Sequence, residues 1–270
     1  MVSLAGQGPV NRISAVVITL NEEHSLSGAL DSVAWCDEIV VLDSGSVDGT
    51  VEIARSYPNC RVLHQPFLGY GPQKRKAVEA ASNDWILSLD ADEVLDELLQ
   101  QSLRAWRESG SPGEAGYYLL RRLCFMGRHF RHGRESRDRV LRLFDRRRGN
   151  FNEANIHERV ELDGPTGVLS GRLLHYSYRD LDEYFEKFNR YTSVMARQMR
   201  QRGRRSSIPS LVLRQPVSFL NYYLVRGNWM NGFPGFVWSL LAATYRTVKY
   251  LKLYELQTTA YDSKQDPPVA

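Results

Sequence analysis

Short apolar runs, each closed by a polar or acidic residue, dominate the first hundred positions. Ile13-Ser14-Ala15-Val16-Val17-Ile18-Thr19 reads as a buried strand, and Leu26, Ala29, Leu30 and Val33 then recur on one helical face. Glu38-Ile39-Val40-Val41-Leu42 is a second strand, closed by Asp43, with a helix predicted over residues 49–57. A short strand at Arg61-Val62-Leu63 leads to the loop Gly69-Tyr70-Gly71-Pro72 and a helix over residues 73–81. Asp84-Trp85-Ile86-Leu87-Ser88-Leu89 is a further strand, closed by Asp90, and a helix is expected over residues 95–108. Strand and helix in strict alternation predict βαβ units and a mostly parallel sheet flanked by helices, an α/β fold.

Beyond Gly116 the pattern changes. Residues 117–125, 139–144, 158–162 and 168–175 read as strands without intervening helices, extending or covering the sheet edge. Phe185, Phe188, Thr192, Met195 and Met199 then recur at helical spacing. A basic linker over residues 202–209 separates that helix from two more, around 217–226 and 236–256. The expected organisation is a flexible segment 1–12, a catalytic domain 13–178 divided near residue 110, a helical extension 179–258 and a disordered tail 259–270.

Two acidic clusters carry the candidate chemistry. Asp43-Ser44-Gly45-Ser46-Val47-Asp48-Gly49-Thr50 and Asp90-Ala91-Asp92-Glu93 each follow a buried strand. Carboxylates at the carboxyl ends of neighbouring parallel strands stand in the crevice where open α/β sheets bind ligands. Asp90 and Asp92 lie two apart, so on extended backbone both side chains face one way. That pair suits one hard divalent cation shared with substrate phosphates, as for an enzyme acting on a nucleotide-activated substrate.

Composition narrows the picture modestly. In 270 residues the hydrophobic fraction is 43% and the charged fraction 24%, ordinary for a folded soluble protein. The net charge of +4 is unevenly placed: basic residues crowd into 121–148 and 197–214, which points to an anionic partner for the second half. Cys36, Cys60 and Cys124 lack paired spacing and fit a reducing compartment. Residues 1–12 lack a signal-peptide pattern, and the longest apolar stretch, 236–245, is too short to span a bilayer.

Val16-Val17-Ile18-Thr19-Leu20-Asn21-Glu22, the Asp43 to Thr50 cluster and Asp90-Ala91-Asp92-Glu93, taken in order, resemble the inverting family 2 glycosyltransferases of GT-A fold. Ile156-His157-Glu158-Arg159-Val160, Leu174-His175-Tyr176-Ser177-Tyr178 and the tail 232–253 are similar to the bacterial lipopolysaccharide core β-1,4-glucosyltransferases. The segment Arg134-Glu135-Ser136-Arg137-Asp138 departs from that narrower pattern. The resemblance implies a GT-A domain with a helical C-terminal extension, a UDP-hexose donor such as UDP-glucose, Mg²⁺ or Mn²⁺, and a lipid-anchored core acceptor. It also implies a place on the cytoplasmic face of the inner membrane, in peripheral contact with it, and no nucleic-acid partner.

By the same resemblance Thr19, Asn21, Glu22, Asp43, Ser44, Gly45, Asp90 and Ala91 contact the sugar nucleotide, Asp92 is the main metal ligand, and Glu158 is the general base. Read from the residues, Asp43 either accepts from a uracil imide or caps its own turn, and Asp48 either joins it in binding or caps the following helix. Asp90 is either a second metal ligand or a ribose contact. Lys74 and Arg75 open a helix and can reach phosphate, or are simply solvated helix cations. Glu158 is either that base, oriented by His157, or a strand-edge glutamate paired with Arg159 or a neighbouring arginine. His175, closing its strand, is a further candidate metal ligand, a hydrogen-bond donor to the diphosphate, or a structural histidine. Arginines in 121–148 suit phosphate capture, or pair with neighbouring acids. In the last helix Val237, Leu240, Leu241, Thr244, Val248 and Leu251 form one stripe, which rests on a membrane interface or on the domain. Two rival functions fit parts of the pattern. A sugar-phosphate nucleotidyltransferase requires a glycine-rich loop after the first strand, where Leu20-Asn21-Glu22-Glu23 stands. A non-enzymatic polyanion binder would need neither carboxylate cluster.

Overall fold

The computed structural model describes residues 10–110, 113–154 and 158–259. The expected flexible segment and tail lie largely outside them, as does His157. The chain divides into two compact units. The first, residues 1–122 and 138–176, holds the sheet; the second, residues 123–137 and 177–270, is mainly helical. Residues 123–137, read from the sequence as part of the catalytic domain, thus group with the helices.

In the first unit the chain runs β1 (Ile13–Thr19), α1 (Leu26–Val33), β2 (Glu38–Asp43), α2 (Thr50–Arg55), β3 (Cys60–His64), α3 (Tyr70–Ala80) and β4 (Trp85–Asp90). There follow β5 (Glu93–Leu95), α4 (Glu97–Glu108), β6 (Gly116–Phe125), β7 (Arg128–His129), β8 (Asp138–Asp145), β9 (Gly149–Phe151), β10 (Val160–Leu162), β11 (Thr166–Val168) and β12 (Leu173–His175). The main sheet has the order β3-β2-β1-β4-β8-β6-β12-β5. Its first four strands are parallel, and β8 joins β4 antiparallel. This is the mostly parallel GT-A sheet expected, with helices on its faces.

β1, β2 and β4 are buried on both faces, as apolar runs between two helical layers require. Ala15, Val17, Ile39, Val41, Leu87 and Leu89 pack with α1 and α4, whereas Val16, Val40, Leu42 and Ile86 pack with Ala77 and Val78 of α3. α4 starts where Asp96 caps it, its carboxylate accepting from Leu99 N–H at 2.8 Å. α3 begins at Tyr70, three residues before the expected start. Pro72 is tolerated because the first turn of a helix has no internal partner for its N–H groups. Gly71 is needed there: a Cβ would collide with the carbonyl oxygens of Asn152 and Ala154.

Three other expectations are corrected. Leu95, the expected start of a helix, is instead the last residue of strand β5, which pairs with β12. Residues 168–175 are not one strand, because the chain turns at Gly171, whose φ is +104°. Glu158 lies in the loop ahead of β10, outside any strand.

The second unit contains α5 (Leu181–Gln201), α6 (Ile208–Leu220) and α7 (Gly232–Thr258), with a π turn at Asn221–Val225 after Pro216 of α6. Helix α6 thus starts inside the expected linker. Ala196, Met199 and Leu253 form one small core. Val237, Trp238 and Leu241 pack on Leu123, Phe125 and Phe130. The buried face of α7 includes the small residues Gly235, Ser239 and Ala243, spaced one turn apart. The expected stripe is therefore split: Val237 and Leu241 pack inward, while Leu240 and Leu251 are 41% and 45% exposed.

Candidate functional site at the carboxyl edge of the sheet

Strand register sets the site. Asp43 lies opposite Thr19 and Asp90 opposite Ile18, so β2 and β4 bring their terminal carboxylates to one edge on either side of β1. Because strand side chains alternate, the one-residue offset sends Asp43 toward the Thr19 face and Asp90 toward the Ile18 face. A ligand engaging both must lie across the edge.

On the first face, Asp43 is buried and accepts from Gly45 N–H at 2.8 Å, Ser46 N–H at 3.0 Å and the hydroxyls of Ser46 and Thr19. Burial works to raise its pKa, but the Ser46 and Gly45 hydrogen bonds prevail and hold it below the usual carboxylate range. It is thus an ionised acceptor that also organises its own turn. Residues 21–23 are tied to that turn and the next. Asn21 N–H donates to Ser46 Oγ, Val47 N–H donates to Asn21 Oδ1, and Glu22 N–H donates to Thr50 Oγ1. Asn21 takes a left-handed φ of 56°, which asparagine tolerates. Asp48 accepts from the N–H groups of Thr50 and Glu23. The two loops expected to contact the nucleotide therefore support each other.

On the second face lies a chain of buried charges. Lys74 Nζ stands 2.7 Å from Asp90 Oδ1 and 2.7 Å from Glu158 Oε1. It also lies 5.6 Å from the centroid of the Phe151 ring. Arg142 Nη2 lies 2.6 Å from Asp90 Oδ2 and 2.7 Å from Glu93 Oε1, and Arg121 joins Glu93 to Asp138. Burial opposes ionisation of Asp90, yet the charges of Arg142 and Lys74 outweigh it and hold its carboxyl well below the ordinary range. The stability it contributes is therefore present above the unfolded carboxylate range and is lost as pH falls through the depressed value.

Lys74 is a buried tie between two carboxylates, not the solvated or phosphate-directed cation expected from the sequence. Asp90 likewise spends both oxygens on cations, which leaves it poorly placed as a metal ligand. Its expected alignment with Asp92 fails because residues 91–92 form a turn, to which extended-chain alternation does not apply. Several arginines of 121–148 have structural tasks: Arg146 donates to carbonyls of α3 and its end, and Arg147 binds Asp145.

Asp92 has a different partner. β5 and β12 pair antiparallel, Glu93 opposite His175, which brings His175 Nε2 to 3.3 Å from Asp92 Oδ2. Burial lowers the affinity of His175 for a proton, but its hydrogen bond to Asp92 and the nearby charge more than compensate, so its pKa lies above the ordinary value. The stability from this pair is thus present below the unfolded histidine value and lost as pH rises through the raised one. Among the described residues no group of three or more His, Cys, Asp or Glu gathers around a point where a metal could be held. Asp92 alone still fits a magnesium-like ion, which is commonly held by one or two carboxylates and completed by substrate phosphates and water, and His175 could join it only after giving up its proton.

Sequence reasoning missed Arg142, Glu93 and Gln73. Gln73 is fully buried and donates to Ser44 Oγ and Gln65 O, joining α3 to the Asp43 turn. Arg142 had a readable signal: it stands between Leu141 and Leu143 in an apolar run read as a strand, where a buried cation requires carboxylates. Replacing Arg142 with Ala leaves Asp90 and Glu93 without that cation. The expected cost is about 3–5 kcal/mol of folding stability, read as a lower urea midpoint.

Known proteins match this chain along most of its length. The model of glycosyl transferase family 2 matches residues 14–162. The lipopolysaccharide core biosynthesis glycosyltransferase LpsC of Rhizobium meliloti (strain 1021) is 33% identical over 249 residues, covering 90% of this chain and 92% of LpsC. An uncharacterised glycosyltransferase of Rickettsia typhi (strain ATCC VR-144 / Wilmington) is 30% identical, covering 92% of this chain and 88% of its own. Among solved structures, glucosyl-3-phosphoglycerate synthase from Mycobacterium tuberculosis, in complex with Mn²⁺, UDP and phosphoglyceric acid, is 27% identical. It covers 41% of this chain and 43% of that one, with a TM-score of 0.35.

Proposed function

The chain belongs to glycosyltransferase family 2, and from that premise we propose that it is an inverting transferase moving a hexose from a UDP-hexose, UDP-glucose foremost, onto a lipopolysaccharide core sugar. Family membership decides against the nucleotidyltransferase and non-enzymatic readings. One observation carries the mechanism: Lys74 links the strand-end carboxylate Asp90 to Glu158, which lies 84 residues beyond Lys74. Donor-side and base-side groups are thereby held together at one sheet edge.

In the proposed reaction the acceptor hydroxyl oxygen attacks the anomeric carbon. The bond from that carbon to the diphosphate oxygen breaks, UDP departs with the electron pair, and Glu158 takes the hydroxyl proton. Asp43 receives the uracil imide N–H while the braced loops at 19–23 and 44–50 shape the nucleoside site. Asp92 and His175 would hold a Mg²⁺ or Mn²⁺ ion, which when bound offsets charge gathering on the departing diphosphate. Lys74 and Arg142 hold Asp90, Glu93 and Glu158 in place at the same edge. The core acceptor is supported by the likeness to LpsC, and peripheral attachment to the inner face of the membrane by the basic second half. The test is transfer of labelled hexose from a panel of nucleotide sugars to core lipopolysaccharide lacking its outer sugars. UDP-hexoses should be consumed with label entering the lipid; label entering from no UDP-sugar would refute the reading.

A further inference from the structure

Residues 187–254 carry twelve Lys and Arg and no Asp or Glu. Within this stretch α6 exposes Val212, Leu213, Val217 and Leu220 at 68%, 62%, 62% and 51%. No described helix is long and apolar enough to cross a membrane. An exposed apolar ridge inside a wholly basic stretch suits the interface of an anionic bilayer.

A more specific feature lies on the same helices. A shallow cavity of about 230 Å³ is lined by Ser210, Leu213, Arg214, Val217, Ser218 and Arg246. At about 30 Å³ for a water-sized group, it has room for a phosphate with accompanying water. Arg214 is fixed in place: its guanidinium lies 3.5 Å from the centroid of the Tyr250 ring, and Nη2 donates to Ser210 Oγ at 2.6 Å. Its Nε is buried without a hydrogen-bond partner. Arg246 is exposed at the rim. Neighbouring Lys249 is held below its ordinary pKa, first by burial and then by the charges of Arg246, Arg214 and Arg204.

We infer that this cavity is a phosphate-headgroup site for an anionic lipid, with Arg214 and Arg246 on the phosphate and Leu213 and Val217 against the first acyl carbons. Guanidinium forks match phosphate oxygens, and the two serine hydroxyls supply further hydrogen-bonding groups. The inference deepens the proposed peripheral attachment and rests on it; it makes the attachment a defined site on α6 and α7, where the sequence pointed to the stripe of the last helix.

Vesicle co-sedimentation of the full chain tests it. Wild type should bind phosphatidylcholine vesicles containing phosphatidylglycerol and ignore vesicles without it. Arg246→Gln, at an exposed position, should weaken binding roughly fivefold, and with Arg214→Gln added on the order of twentyfold. The equal charge change Arg200→Gln/Arg202→Gln should cost less than half as much on a logarithmic scale. Equal losses would mean diffuse attraction and overturn the site. Inorganic phosphate binding in calorimetry, without any vesicle binding, would make it a free-phosphate site and overturn the lipid assignment. Wild type ignoring both vesicle types and phosphate overturns the attachment as well. UDP affinity, measured alongside, should be unchanged by Arg246→Gln, which keeps this outcome separate from the transferase reading.

Discussion

Glu158→Gln is expected to slow hexose transfer by roughly a hundred- to ten-thousandfold while leaving donor affinity within about twofold. Glutamine keeps an oxygen to accept from Lys74 but cannot take the acceptor's proton. Glu158 is bound at 2.7 Å to a buried lysine that is itself anchored on Asp90, so the substitution should not disturb the loop. The check is kcat at saturating donor together with a direct UDP-sugar affinity. A residual rate near wild type would remove Glu158 as base. Equal loss of rate and of donor affinity would recast it as a binding residue.

Asp92→Ala should have a comparably large effect through a different step. Asp92 stands in the turn after β4, beside His175, whereas Asp90 is bound to Lys74 and Arg142. Loss of Asp92 takes away the carboxylate that His175 is bound to, so some stability should go with it below the histidine range, and the metal effect has to be read on folded protein. Outer-shell substitutions at metal sites cost about ten- to a hundredfold in affinity or activity, so removal of a direct ligand should exceed that. The expected result is transfer reduced by more than roughly a hundredfold and unresponsive to added Mn²⁺, in protein whose circular dichroism shows that it is still folded. Full activity recovered at higher Mn²⁺ would indicate that the cation is held chiefly elsewhere.

The parts of the fold that were legible share one physical property. β1, β2 and β4 are continuous apolar runs because helices cover both faces, and such runs announce themselves without knowledge of partners. Elements defined by distant partners were not legible. β5 is three residues long and exists through its pairing with β12, about eighty residues away, so Leu95 read as the start of α4. α7 was mis-faced for a related reason: it buries a small-residue face, Gly235, Ser239 and Ala243, which hydrophobic periodicity ignores. At the site, strand-end position marked Asp43 and Asp90 correctly as residues of the carboxyl edge. Their tasks depended on Lys74 and Arg142, brought in by α3 and β8. The buried charge chain emerges only when strand order is known.

The carboxyl edge should hold a uridine diphosphate together with a divalent cation. Calorimetric titration of the full chain with UDP, with and without Mn²⁺, measures this directly. The expected result is a single UDP site whose affinity rises at least tenfold with Mn²⁺. UDP binding of equal strength in the metal-free protein, or none under either condition, would contradict it.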